Sequence, residues 1–364
     1  MKPKIPLSRP LIGKVEERLV SRVLRSGILS RGPVVESFES AFAQYIGVKH
    51  GLAVCNGTAA LHLALLAHGV RSGDKVITTP FTFIASANSI LYTGAKPVFV
   101  DVDRDTYNID PTKIEEAIDN HTKAVLPVHV FGVSCDMKAI MEICEDHGLI
   151  LVEDACEAIG TKCNGKMVGS FSTSCFSFYP NKPITTGEGG MVLTDNDEIA
   201  GRVDALRNQG RLSDGWLSHE LIGYNYRLSD IHAAVGLAQL RRIKSVLRKR
   251  DRVAHLYSRY LKNTEGVRAP TMTRGRSWFV YVVEVDRRDE VAKKMKEKGI
   301  ECKPYFPPVH LQEPYRDLGF KEGDFPICEE IGRRVLALPF YSHMSSQEVE
   351  LVVSCLQHSL SSGK

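Results

Sequence analysis

The sequence predicts an α/β fold built on a mostly parallel, seven-stranded sheet, followed by a smaller α/β block. Three observations predict it. Seven short apolar runs rich in β-forming residues lie between about residues 51 and 195. Several are nearly continuous in Val, Ile, Leu or Phe instead of alternating, as in strands covered on both faces. Segments of helical period separate the early runs, and strands alternating with helices build parallel sheets.

The runs are 52–55, 75–79, 97–102, 124–130, 149–154, 175–179 and 191–194. Helical patterns fall at 59–68, after a Gly-Thr start, at 112–118 and at 137–147. Asp110 and Asp136 are N-cap candidates for the last two, the first followed by proline at the opening helical position. The last two strands follow too closely for a helical crossover, so that side of the sheet is expected to be mixed. After about residue 228 the pattern becomes helical over 230–247 and on to about 261. A strand at 278–285, a helix at 288–298 and a closing helix at 346–360 follow. This pattern divides the chain into a large domain, 1–240, and a small one, 241–364, with the first 25 or so residues expected near the small domain.

Composition excludes several functions. With 43% hydrophobic and 25% charged residues over 364 positions, the chain reads as globular and soluble. A net charge of +4 is too small to argue for nucleic acid or an acidic membrane surface. The basic run from Arg241 to Arg250 carries Leu240, Ile243, Val246 and Leu247 at helical spacing, so it reads as the solvated face of an amphipathic helix. Nine cysteines without a C-x-x-C pair argue against a disulfide framework or zinc site and for a reducing compartment. The N-terminal residues lack an apolar signal region, and no segment approaches about 18 uninterrupted apolar residues, so a cytoplasmic protein is expected.

The chemistry concentrates in Ser177-Phe178-Tyr179-Pro180-Asn181-Lys182-Pro183-Ile184-Thr185-Thr186-Gly187-Glu188-Gly189-Gly190-Met191. One lysine stands between two strand-like runs, on a turn crowded with glycine and hydroxyl side chains. A lysine dehydrated at such a turn can lose its proton, and the neutral amine attacks carbonyls. Gly57-Thr58 follows the first strand and opens a helix, where backbone N–H groups and the helix dipole suit a phosphate. Asp154 ends a strand of buried type, and a buried carboxylate needs a partner. The pattern Gly187-x-Gly189-Gly190 is not a dinucleotide fingerprint, because it leads into a strand and not a helix. Glu153, Asp154 and Glu157 have no histidine at ligand spacing nearby, so no metal is expected.

The lysine stretch resembles that of the DegT/StrS family of nucleotide-sugar aminotransferases. Further matches occur in family order at Ser30-Arg31-Gly32-Pro33, Asn56-Gly57-Thr58, Pro80-Phe81-Thr82-Phe83, Glu153-Asp154-Ala155, Gly223-Tyr224-Asn225-Tyr226-Arg227, Pro308-Val309-His310-Leu311 and Leu338-Pro339. The resemblance implies a fold type I transferase using pyridoxal 5′-phosphate. Lys182 would hold that cofactor as a Schiff base, Asp154 would pair with its ring nitrogen, and Gly57, Thr58 and Ser177 would hold its phosphate. Phe83 would stack on its face, with Phe81 as the competing candidate, and Glu157 would approach its ring oxygen. Asn56 stands where the family usually has serine, and Pro183 follows the lysine where proline is rare, which bears on the loop's shape.

The family's pattern makes Asn225 a ligand of the neighbouring subunit's phosphate, implying a homodimer with shared sites. Tyr224, Arg227 and His310 are substrate-side candidates, each with a structural alternative. The glutamate at 157 resembles the branch containing GDP-perosamine synthase. The implied reaction moves an amino group from L-glutamate to a keto sugar nucleotide, at C4 of a 4-keto-6-deoxyhexose. A sugar 3-dehydratase of the same superfamily is disfavoured because those relatives replace the lysine with histidine. A cofactor-binding regulator without turnover is the third reading.

Overall fold

The computed structural model describes residues 4–212 and 218–361. Its large sheet contains β1 (His50–Val54), β2 (Lys75–Thr78), β3 (Lys96–Phe99), β4 (Thr122–Val125), β5 (Ile150–Asp154), β8 (Thr173–Ser177) and β9 (Gly190–Thr194). A separate hairpin joins β6 (Lys162–Cys163) to β7 (Lys166–Met167). The sheet order is β1-β9-β8-β5-β4-β2-β3. Strand β9 runs antiparallel to both neighbours, while the remaining adjacent pairs are parallel. The expected mixed side is therefore real, and it follows from the short turn between β8 and β9. All the other strands point their carboxyl ends to one edge, where an α/β sheet collects its ligands.

The helices α1 (Lys14–Ser26), α2 (Pro33–Ile46), α3 (Gly57–Ala67), α4 (Ala85–Tyr92), α5 (Met137–Asp146), α6 (Asp197–Arg207), α7 (Asp230–Leu240) and α8 (Ile243–Leu261) accompany this sheet. One face is covered by α3 and α6 through Ala60, Leu63, Ala64 and Val203 against Val54, Val152 and Val192. The other face carries an aromatic cluster, Phe38 and Phe42 of α2 edge-on to Phe176 and Phe178, at centroid distances of 5.0–5.1 Å. The side chains of β8 and β9 are buried throughout, which explains their unbroken apolar runs.

Two expectations are corrected. Residues 112–118 form two successive 3₁₀ turns, Pro111–Lys113 and Glu115–Ala117, and not one α-helix. Asp110 nevertheless caps the first, accepting from Thr112 N at 3.0 Å. The helix expected over 230–247 is broken at Arg242 (φ −115°, ψ 13°). The Arg242 guanidinium reaches the Leu11 carbonyl at 2.5 Å and pairs with buried Glu16 of α1, a tie that local periodicity could not reveal.

The second sheet is antiparallel, ordered β10 (Val267–Arg268), β11 (Tyr281–Val285), β12 (Val335–Leu338). It packs with α8, α9 (Arg288–Glu297) and α12 (Ser346–Ser361) around Tyr257, Tyr281, Met295, Leu336 and Val352. Ile5 joins this core and bridges to Ile300, whereas α1 lies against α7. Two short helices, α10 (Glu313–Arg316) and α11 (Pro326–Arg334), precede β12. The two sheets share a core in which Phe81, Val130 and Phe131 meet Phe279, Val282 and Phe306. Buried Glu284 strengthens the junction by accepting two bonds from Arg104, at 2.8 and 2.7 Å, and one from Tyr107 at 2.6 Å. Among the described residues no helix is long and apolar enough to cross a membrane.

Candidate active site

The turn between β8 and β9 is closed by its own hydroxyls and backbone. Phe178 O accepts from Thr186 N at 3.0 Å and from Thr185 Oγ1 at 2.8 Å, while Phe178 N donates to Gly189 O at 2.9 Å. Within it, Lys182 N donates to Tyr179 O at 3.0 Å, so the lysine rides on a tight inner turn. Buried Pro183 follows without disturbing that bond. The Lys182 side chain is about nine-tenths buried, with Nζ 3.8 Å from the Phe279 ring centroid and 3.9 Å from Glu157 Oε1. A cation over a ring face is attracted by the quadrupole, so the amine rests between an aromatic ring and a carboxylate.

The C-terminal end of β5 supplies the acids. Asp154 is 4% exposed, and its Oδ1 accepts from Cys156 N at 3.1 Å while Oδ2 accepts from Ser86 Oγ at 2.7 Å. Glu157 lies one turn further on, accepting from Phe131 N at 3.0 Å. Burial pushes its carboxyl up to about 7, against the opposing pull of Lys182 and of the Phe131 N–H. Glu153, on the opposite face of β5, accepts from Gly169, Phe171 and Ser172 N–H groups, each at 2.9 Å, and so pins the strand. His129 Nδ1 accepts from Cys135 N at 3.1 Å, which places the ring's proton on Nε2, 3.2 Å from Glu153. Burial and that acceptor bond both favour a neutral imidazole, against the upward pull of Cys135 and Glu153.

The C-terminal end of β1 completes the arrangement. Asn56 caps α3, accepting from Ala59 N at 2.8 Å, and the N–H groups of Gly57 and Thr58 have no acceptor within the helix. Close approach requires glycine at position 57. A Cβ there would lie 2.9 Å from Ser177 Cβ and 3.1 Å from Cys156 Sγ. The ends of β1, β5 and β8 thus converge on one cradle.

These residues fit pyridoxal phosphate. Helix N–H groups beside a serine hydroxyl suit its phosphate, the Asp154 carboxylate suits a protonated ring nitrogen, and a sheltered amine suits its aldehyde. Phe83 is 60% exposed while Phe81 is fully buried against Tyr107, Phe131 and Phe306, so the free ring in this loop is Phe83.

The other predicted residues make contacts of their own. Arg227 pairs through the backbone with Val54 at the end of β1, and its guanidinium donates to Asn208 Oδ1 at 3.1 Å. Tyr224 stacks on Tyr226 and meets the His62 ring edge-on. Asn225 pairs with Asn208 by backbone alone and has an exposed side chain. His310 is fully buried, with Nε2 3.0 Å from Glu329 Oε1 and its ring edge-on to Phe325.

Sequence reasoning missed Ser86, Cys156, Phe131 and Phe279, which touch Asp154, Gly57, Glu157 and Lys182 across long separations. It also placed Arg250 on a solvated face. Arg250 is buried and donates to the carbonyls of Trp278 and Phe279, each at 2.6 Å.

A DegT/DnrJ/EryC1/StrS aminotransferase family model matches residues 10–357. The spore coat polysaccharide biosynthesis protein SpsC of Bacillus subtilis is 41% identical, covering 97% of this chain and 96% of its own length. GDP-perosamine synthase of Caulobacter vibrioides is 40% identical, over 98% of this chain and 99% of its own. Among solved structures, S. venezuelae DesV in complex with a ketimine intermediate superposes with a TM-score of 0.92 at 35% identity, covering 98% of both chains. Aminotransferases of this family and fold use pyridoxal phosphate. With a family match along almost its whole length, the chain belongs to the DegT/DnrJ/EryC1/StrS aminotransferases.

Proposed function

We propose that this protein moves an amino group from L-glutamate to a keto sugar nucleotide, at C4 of a 4-keto-6-deoxyhexose, as a cytoplasmic homodimer. The observation that carries this reading is the sheltered Lys182 amine, set between Phe279 and Glu157 on the same edge of the sheet as Asp154 and the Gly57 cradle. The similarity to GDP-perosamine synthase and the carboxylate at position 157 support the C4 choice.

When bound, pyridoxal phosphate supplies an aldehyde that condenses with amines and a ring that takes up the electron pair left when a C–H bond breaks. Gly57, Thr58 and Ser177 hold its phosphate, Phe83 covers one face, and Asp154 keeps the ring nitrogen charged. Lys182 Nζ takes the proton from the donor's α-carbon and, in the second half of the cycle, returns one to the sugar carbon that gains nitrogen. Phe279 and Glu157 hold that amine within reach while it is free. Tyr224 and Arg227, beside the end of β1, face the substrate. Asn225 reaches the phosphate of the neighbouring subunit.

The test is a panel of 4-keto and 3-keto sugars carried on GDP, dTDP or UDP, each assayed with glutamate for amino-sugar formation. A 4-keto-6-deoxy substrate should be aminated best. Lys182→Ala should still take up the cofactor through its phosphate contacts yet lose at least about 10³-fold in turnover. Unchanged turnover in that variant, or amination confined to 3-keto sugars, would refute the corresponding part of the reading.

A further inference from the structure

We propose that Thr82 and Ser86 form a hydroxyl chain that aims the Asp154 carboxylate, which makes Ser86 a positioning residue of the amino-transfer site. The proposal rests on the reading of Asp154 as the partner of the cofactor's ring nitrogen. The three side chains are almost wholly enclosed, at 3%, 2% and 4% exposure. Ser86 Oγ lies 2.7 Å from Asp154 Oδ2, and Thr82 Oγ1 lies 2.8 Å from Ser86 Oγ. A serine hydroxyl has one proton to give. Its alternative acceptor, the Phe83 carbonyl, is 3.3 Å away, and a charged acceptor makes the stronger bond. The proton therefore goes to Asp154, and the Ser86 oxygen accepts from Thr82. The chain runs in one direction, and each link polarises the next.

Two features make this more than the satisfaction of buried hydroxyls. The opposite carboxylate oxygen is held by Cys156 N at 3.1 Å, so turning the group about its Cβ–Cγ bond would break bonds on both sides. Thr82 and Ser86 also bracket Phe83, the exposed ring of this loop. One unit thus sets the carboxylate and the segment that presents the ring.

The experiment compares Ser86→Ala and Thr82→Val in the wild-type and Asp154→Ala backgrounds. It reads pyridoxal phosphate affinity by absorbance titration, the pH at which the bound cofactor's band changes, and turnover. In the wild-type background Ser86→Ala should lower affinity and kcat on the order of tenfold, shift the spectral titration and leave the sugar-nucleotide KM unchanged. Thr82→Val, which keeps Ser86, should lower affinity and kcat about threefold and shift the spectral titration in the same direction. Both changes should be silent once Asp154 is alanine. Wild-type behaviour of both variants, or equal losses in the two backgrounds, would overturn the positioning role. If Asp154→Ala itself keeps wild-type affinity, spectrum and turnover, the reading of Asp154 fails, and the chain falls with it. Should Ser86→Ala not fold, Thr82→Val alone decides between these outcomes.

Discussion

Glu157 shows how one buried carboxyl links the site to stability. Its pKa is raised above that of an unfolded chain, chiefly by burial, so the folded state binds the proton more tightly. The unfolded carboxyl ionises first as pH rises, and stability falls between about 4.5 and about 7. Replacing Glu157 with glutamine removes the charge while leaving an oxygen to accept from Phe131 N. The cofactor-free Glu157→Gln protein should therefore be more stable than wild type near pH 8, by roughly 3 kcal/mol at most, with the advantage gone near pH 4. Thermal unfolding at several pH values checks this, and a pH-independent difference would show that the carboxyl does not titrate in that range. Asp154 obeys a different logic, because an amide cannot keep a ring nitrogen charged. Asp154→Asn should fold normally and lose at least about 10²-fold in turnover, comparable with removing a strong electrostatic stabiliser. A loss under about fivefold would leave Asp154 only its hydrogen bonds to Ser86 and Cys156.

At the scale of elements, α3 and the β8–β9 turn meet so closely that position 57 has no room for a side chain. Gly57→Ala should favour the helix by propensity yet push Ser177 or Cys156 aside, since a Cβ would sit 2.9 and 3.1 Å from them. Cofactor affinity should fall at least about tenfold with little change in thermal stability, as spectroscopic titration beside calorimetry will show. An unchanged affinity would mean that the cradle relaxes freely. The sequence announced this element well, because strands buried on both faces write continuous apolar runs and a Gly-Thr pair after one marks a helix start. Asp154 drew notice for the same reason, standing at the end of such a run, whereas Lys182 drew it as the one lysine on a turn between two of them. Ser86 and Phe279 were not legible. A serine in α4 and a phenylalanine before β11 carry no local sign that they meet residues 68 and 97 positions away. The break at Arg242 escaped likewise, since its guanidinium is tied to Glu16, 226 residues distant in sequence. Arg250 looked solvated because charge predicts exposure, and the carbonyls of Trp278 and Phe279, just before β11, account for its burial.

For the whole molecule, the site is assembled by parts distant in sequence. The large sheet supplies the lysine, acids and glycine cradle, and the segment before β11 supplies the ring beneath the amine. Asn225 adds a further layer. Its segment is tied to the end of β1 through Tyr226 O, which accepts from Cys55 N at 2.8 Å, yet its own side chain is exposed. The proposal that this exposed asparagine serves a second copy of the chain implies a two-fold dimer that exchanges such residues reciprocally. If it does, Lys182→Ala and Asn225→Ala chains, each inactive or weak alone, should complement when mixed and reassociated. A mixed dimer holds one site with both residues intact and one with both removed. Random reassociation makes half the dimers mixed, so activity should recover to roughly a quarter of the wild-type level. If mixed dimers are shown to form, by differently tagged chains purified in tandem, and remain no more active than either parent, Asn225 serves its own subunit or none.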